Sequence, residues 1–277
     1  MGKNYAYWYR CMRLKDSYTP LRNMKFKSII IISICSILCS CQNSNWRNEN
    51  NSIRPTCELT GEIYFQSEFQ EIKENQLNSH YFWTTMNHSN IEVAVDLEDG
   101  ELKMAEPKSD KSFFELEDGK LEIINSGEFG GALNFISSDN ILDTISIWKI
   151  PINFVFEFKS KIYFLVGIAH GMDSGGALYE LKRIDNEFSY EEVVRLDSAP
   201  EAVSIFRNKI LIAGHQMFTV VENFNKDNIV KEAFWSSLYP NSISVKNEDE
   251  VYIGMRGGYA KLSLISKEVK YFQYRKE

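Results

Sequence analysis

The stretch that decides the fold begins at Pro240. It runs Pro240–Val245 (PNSISV), a polar break Lys246–Glu250 (KNEDE), Val251–Met255 (VYIGM), a glycine pair Gly257–Gly258, Tyr259–Ile265 (YAKLSLI), a second polar break, and Val269–Tyr274 (VKYFQY). Each apolar run is short, rich in β-branched and aromatic residues, and bounded by Gly, Asn, Asp or Ser. That pattern predicts four successive antiparallel strands.

The unit recurs upstream. After Pro55 the prolines are Pro107, Pro151, Pro200 and Pro240, separated by 44, 49 and 40 residues, and each precedes an apolar run. First strands are expected at 113–116, 154–158, 202–206 and 242–245, and second strands at 121–124, 162–166, 210–213 and 251–253. Proline suits a strand start, where its missing N–H costs no ladder bond. Glycine pairs at 130–131, 175–176 and 257–258 are expected to turn the chain into a third strand, with Gly214-His215-Gln216 doing so in the remaining copy. Asp99-Gly100 and Asp118-Gly119 carry the same turn chemistry.

Four strands per forty-odd residues match the blade of a β-propeller. Residues 57–106 supply a less regular fifth blade, with strands expected near 62–65, 80–83, 91–95 and 101–104 and a short helix over 67–76. The expected fold is therefore all-β, one propeller of about five blades over 57–277. No sustained 3.6-residue periodicity supports a helical domain.

The last copy also resembles the propeller repeats of bacterial sensor periplasmic domains, in its Asn241-Ser242-Ile243, acidic break, Tyr252-Ile253-Gly254 and Gly257-Gly258. It departs from them at Met255, where Thr is usual, and at Tyr259, where Leu is usual. The resemblance covers some thirty residues and implies the fold, not a signalling role.

The amino-terminal part reads differently. Met24–Lys27 is a short basic segment and Ser28–Leu38 an eleven-residue apolar stretch, too short for a bilayer-spanning helix. It ends in Leu38-Cys39-Ser40-Cys41, which resembles the bacterial lipobox. The resemblance implies a signal segment over 1–41 with its start at Met24, and diacylglycerol on Cys41, whose thiolate is the nucleophile a thioether needs. More than one acyl chain gives a stable membrane anchor. Gln42 after the cysteine is similar to lipoproteins sent to the outer membrane, so the expected address is the cell envelope. Residues 42–56 read as a flexible tether.

Without residues 1–41 the chain keeps 24 basic and 37 acidic residues, a net charge of −13. That balance argues against nucleic acid or an anionic membrane surface as partner. Of five cysteines, Cys11, Cys35 and Cys39 would be cleaved away and Cys41 lipidated. Cys57 would be left alone, and no intrachain disulfide is expected.

Propeller geometry puts the loops between second and third strands, and those between blades, on one face. His170, Asp173, His215, Arg256 and Glu128 belong to the first kind; Ser198, Glu201, Tyr239 and Asn241 belong to the second. His170, Asp173, His215, Arg256 and Glu201 are the candidate ligand-binding residues. Histidine and carboxylate could also bind metal or move protons, but no metal-site, nucleophile-elbow or phosphate-loop motif is present and no cofactor is expected. Trp148, Trp235, Tyr179 and Tyr190 could offer a sugar-stacking surface or pack between blades, and Asn247–Glu250 is a solvated turn. Two functions stay open: a monomeric, non-catalytic binding protein for a protein or glycan, or a propeller enzyme such as a glycoside hydrolase, a lyase or a metal-dependent lactonase. In the second case the candidates are Glu128, Asp173, Glu201 and the two histidines.

Overall fold

In the computed structural model the described residues are 59–73, 86–108, 112–139, 144–170, 173–184, 187–234 and 238–275. They all belong to the unit Trp46–Glu277. Cys41, the tether, Cys57, Trp235 and the strand expected at 80–83 lie outside them. No described helix is long and apolar enough to cross a membrane.

The predicted runs from 113 onward form strands, whereas the one expected at 91–95 is strand only from Ala94. In chain order the strands are β1 (Leu59–Tyr64), β2 (Phe69–Glu71), β3 (Ala94–Glu98), β4 (Glu101–Pro107), β5 (Phe113–Leu116), β6 (Gly119–Asn125), β7 (Gly131–Ser137), β8 (Thr144–Trp148), β9 (Phe154–Phe158) and β10 (Lys161–His170). They continue as β11 (Asp173–Ile184), β12 (Glu187–Leu196), β13 (Pro200–Phe206), β14 (Lys209–Gly214), β15 (Phe218–Glu222), β16 (Asn225–Val230), β17 (Ser242–Asn247), β18 (Glu250–Met255), β19 (Gly258–Leu262) and β20 (Val269–Tyr274). All pairings are antiparallel and build five sheets. Sheet one is β1-β4-β3, sheet two β5-β6-β7-β8, sheet three β9-β10-β11-β12, sheet four β13-β14-β15-β16, and sheet five β17-β18-β19-β20-β2.

The irregular first region is where expectation and structure part. Of the helix expected over 67–76, the described part to residue 73 is not helical: Gln66–Glu68 is a single 3₁₀ turn, and Phe69–Glu71 leaves its neighbours to pair with β20 at the far end of the chain. Arg275 N donates to Glu68 O at 2.8 Å and Arg275 Nε to Gln70 Oε1 at 2.7 Å, extending this seam. Phe69 explains the choice. Its ring lies 5.1 Å from Tyr259 and 5.5 Å from Tyr274, so apolar burial against sheet five outweighs local helix formation.

Hydrophobic clusters join consecutive sheets. One packs Leu121, Leu133 and Phe135 of sheet two against Val155, Phe164 and Ala177 of sheet three. A second packs sheet three on Val203, Ile205, Ile210, Ile212 and Val221 of sheet four. A third packs Ala202, Phe206, Leu211, Phe218 and Val220 of sheet four on Ile243, Val245, Ile253 and Ala260 of sheet five. The fourth joins Tyr252 and Tyr259 of sheet five to Val95 and Met104 of sheet one. Among the described residues no such cluster joins sheet one to sheet two.

Two of the repeated prolines, Pro151 and Pro200, lie against glycines of the preceding sheet. A Cβ on Gly167 would lie 2.4 Å from Pro200 Cδ, and one on Gly176 2.9 Å from the same atom. A Cβ on Gly131 would lie 2.5 Å from Pro151 Cα. The chain crossing into the next sheet therefore lies directly on glycines of the sheet before it. This corrects the turn expected at Gly175-Gly176, which lie inside β11 opposite Ile168 and Gly167. Gly119, too, is a strand residue pressed against Ile136 O rather than a turn residue. Asp99 and Gly100, at φ 51° and 81°, do form the two-residue turn between β3 and β4.

Candidate functional site

One polar site is built on the two-residue turn between β18 and β19. Met255 and Gly258 pair across it, leaving Arg256 and Gly257 at the tip. Gly257 has φ 74°, and a Cβ there would also lie 3.1 Å from Met86 Cα and 3.2 Å from Ser89 Cβ, so glycine answers both a conformational and a steric demand. Three separate segments hold this turn. Arg256 N donates to Leu238 O at 2.7 Å, Gly257 N to Ile91 O at 2.8 Å, and Gly257 O accepts from Tyr274 N at 2.9 Å.

The guanidinium on that turn is held at its base and on one face. Arg256 Nε donates to Glu92 Oε1 at 3.0 Å, and Glu92 and Arg256 also form an isolated β-bridge. The ring of Tyr239 sits 4.6 Å from the guanidinium carbon, within cation–π range. Tyr239 reaches this place with φ 46°, a conformation bulky residues rarely adopt. Burial raises the pKa of Glu92. The hydrogen bond and charge of Arg256 oppose that rise, as does the nearby amide of Asn241. The Asn241 Nδ2 atom itself falls short of hydrogen-bond geometry and is buried without a partner.

Beside this pair is a recess of about 390 Å³ lined by Asn87, His88, Ser89, Asn90, Glu92 and Arg256. Its wall is the tight turn in which Ser89 N donates to Met86 O at 3.1 Å and Ile91 N to Ser89 Oγ at 3.1 Å. Every lining side chain can hydrogen-bond, and Asn87 Oδ1 is buried with no partner.

Polar contacts continue from Tyr239 along the starts of the first strands of neighbouring sheets. The His215 ring lies 6.0 Å from that of Tyr239, and its Nδ1 is 3.2 Å from Glu201 Oε1. The His215 side chain is only 10% exposed, and its backbone N donates to Ala199 O at 2.8 Å. Asn153 Nδ2 donates to Pro200 O at 3.0 Å, while its Oδ1 is buried without a partner.

The residues singled out in the sequence thus fall into two groups. His215, Glu201 and Arg256 share the neighbourhood of Tyr239. His170 and Asp173 face each other across the β10–β11 hairpin, and His170 Nδ1 lies 2.6 Å from Glu128 Oε2 in the 3₁₀ turn between β6 and β7. No described contact links this exposed pair to the Tyr239 group. Both histidine Nδ1 atoms meet carboxylates. No described group of three or more His, Cys, Asp and Glu is placed to hold a metal ion.

Ser198 is structural, accepting from Gln216 N at 3.0 Å. Trp148, Tyr179 and Tyr190 pack against one another and Phe164, with Trp148 4.9 Å from Tyr179 and 4.7 Å from Tyr190. In the acidic turn, Asp249 N donates to Asn247 Oδ1 and Glu250 takes Lys261 at 2.6 Å. Glu92, Asn87 and His88 were not found from the sequence, because they lie in the one region where the repeat loses its phase. The only signal was position: Glu92 lies just before β3, as Asn241 lies just before β17. A comparison with protein-family models finds no match for this chain, and a comparison with curated proteins finds none either.

Proposed function

We propose that this chain is a lipid-anchored β-propeller of five blades in the cell envelope, acting as a monomeric binding protein whose ligand sits on the Arg256 recess. The observation that carries the binding role is the guanidinium of Arg256, positioned by Glu92 and Tyr239 beside a recess lined wholly by hydrogen-bonding side chains. A recess of this volume has room for a small ligand, and its lining suits a polar one. Five antiparallel sheets in sequence, joined face to face by apolar clusters, support the propeller reading, with β1 and β2 drawing the two ends of the repeat array together. The apolar stretch ending at Cys41 supports the anchor.

The test has two arms. Full-length protein and Cys41→Ser, expressed in a bacterium, are partitioned between detergent and aqueous phases; the parent should follow the detergent and the variant the water. Equal partitioning removes the anchor. The purified full-length chain is then screened against a panel of soluble saccharides by ligand-observed NMR, beside His88→Ala and Arg256→Lys. Signals that survive both substitutions unchanged remove the recess as the site.

A second reading is favoured by one observation, the raised pKa of Glu92, which suits a general acid in a propeller glycosidase or lyase. Release of nitrophenol from aryl glycosides, lost in Glu92→Gln, would support it.

A further inference from the structure

We infer that the Arg256 recess takes the carboxylate of a sugar acid, a compact monoanionic polyol, through the outer edge of the Arg256 guanidinium. The inference rests on the reading of the recess as a binding site and names what it binds. Arg256 offers five N–H donors in a planar fork, of which Nε alone is engaged, by Glu92 at 3.0 Å. Among the described residues no side chain meets its two terminal nitrogens, and the side chain is 28% exposed. Two parallel N–H donors on a rigid plane match the two oxygens of a carboxylate.

The plane is held before any ligand arrives. Tyr239 covers one face and Glu92 holds the Nε position. The turn beneath is fixed by hydrogen bonds to Leu238, Ile91 and Tyr274. Little side-chain entropy is left to lose on binding, so the fork is pre-organised.

The charge of the ligand follows from the neighbours. Glu92 already occupies one side of the guanidinium, so the recess holds one positive group beside one carboxyl. A single carboxylate can share Arg256 with Glu92, whereas the second charge of a phosphate monoester would face Glu92 at close range with no further cation in the lining. The hydroxyls follow from the rest of the wall. Asn87, His88, Ser89 and Asn90 present donors and acceptors and almost no apolar surface to an aliphatic acid, which suits a ligand rich in hydroxyls. The volume, about 390 Å³, lies within the range of small-molecule sites.

The experiment is calorimetric titration of the full-length chain in neutral detergent with sodium D-glucuronate, D-glucose and inorganic phosphate in turn. D-Glucuronate is expected to bind at least about tenfold more tightly than either of the others, as loss of a bidentate charged pair implies. Arg256→Lys should weaken glucuronate about tenfold and leave glucose unchanged, and Glu92→Gln should tighten glucuronate by removing the competing charge. If glucose binds as tightly as glucuronate and both weaken in His88→Ala, the recess is a saccharide site but the carboxylate inference is overturned. If phosphate binds most tightly, the monoanion argument is overturned. If none of the three binds the parent chain, the inference and the binding-site reading fall together.

Discussion

Sheets two and four have nearly the same length of strand and very different interiors. Sheet four buries fifteen of its strand residues, and β13, β14 and β15 are buried almost throughout. Sheet two buries three, Leu121, Leu133 and Phe135. The cause is coverage. Alternate residues of sheet four go to different partners, with Val203, Ile205, Ile210 and Ile212 facing sheet three and Ala202, Phe206, Leu211 and Ala213 facing sheet five. In sheet two Phe114, Leu116, Leu121, Ile123, Leu133, Phe135, Ile145, Ile147 and Trp148 all belong to the one cluster shared with sheet three. The other face carries Glu115, Lys120, Glu122 and Asn134. A sheet covered on both faces reads as a continuous apolar run, and one covered on a single face reads as an alternation. Stability in this protein is therefore unevenly distributed among units that look alike in sequence.

The largest expected effect contrasts the two sheets directly. Phe218→Ala, at a fully buried site in sheet four, should cost about 3–5 kcal/mol, measured as a shift in the urea midpoint. Phe113→Ala in sheet two, where the ring is 40% exposed beneath Lys120, should cost less than about 1 kcal/mol. Equal losses would mean that sheet two is covered on both faces after all.

A smaller effect is expected at the joints between sheets. Gly167→Ala places a methyl against Pro200 Cδ and Gly175 O, and should cost about 1–3 kcal/mol. Pro200→Ala in the same molecule should recover only part, because the Gly175 carbonyl remains. Gly100→Ala, with open space around it and φ 81°, should lose about 1–2 kcal/mol from backbone strain alone, with no rescue by any second substitution. Thermal melts of the four proteins separate a packed joint from a simple turn.

The smallest effect concerns pH at the junction of sheets three and four. There Lys226, and then Asn228, hold the Asp197 carboxyl below its ordinary value of 3.8 by hydrogen bonding. A folded pKa below the unfolded one adds stability above pH 3.8, and that stability is lost as pH falls through the lower folded value. Asp197→Asn should therefore lower stability at pH 7 and make no difference once the pH has fallen through the folded value, so that the acid limb flattens. Because this side chain is half exposed, the change should be slight. An unaltered acid limb would place the acid sensitivity elsewhere.

What the sequence determined by itself is short in range. Strand positions from Phe113 onward follow from β-branched and aromatic runs broken by turn residues. Proline spacing marks four of the five sheets, and Arg256, His215 and Glu201 could be singled out because each occupies a repeated place near a strand end. The pairing of β2 with β20, and the three-stranded sheet in which β1 pairs with β4, were decided only in the folded molecule. So were the contact of Glu92 with Arg256, 164 residues apart, and the role of Gly167 and Gly176 as a seat for Pro200. The physical reason is the reach of each signal. Alternation and turn chemistry act over a few residues, so one sequence window contains them. Which sheet a short strand such as Phe69–Glu71 joins depends on aromatic surface that exists only once Tyr259 and Tyr274 are in place.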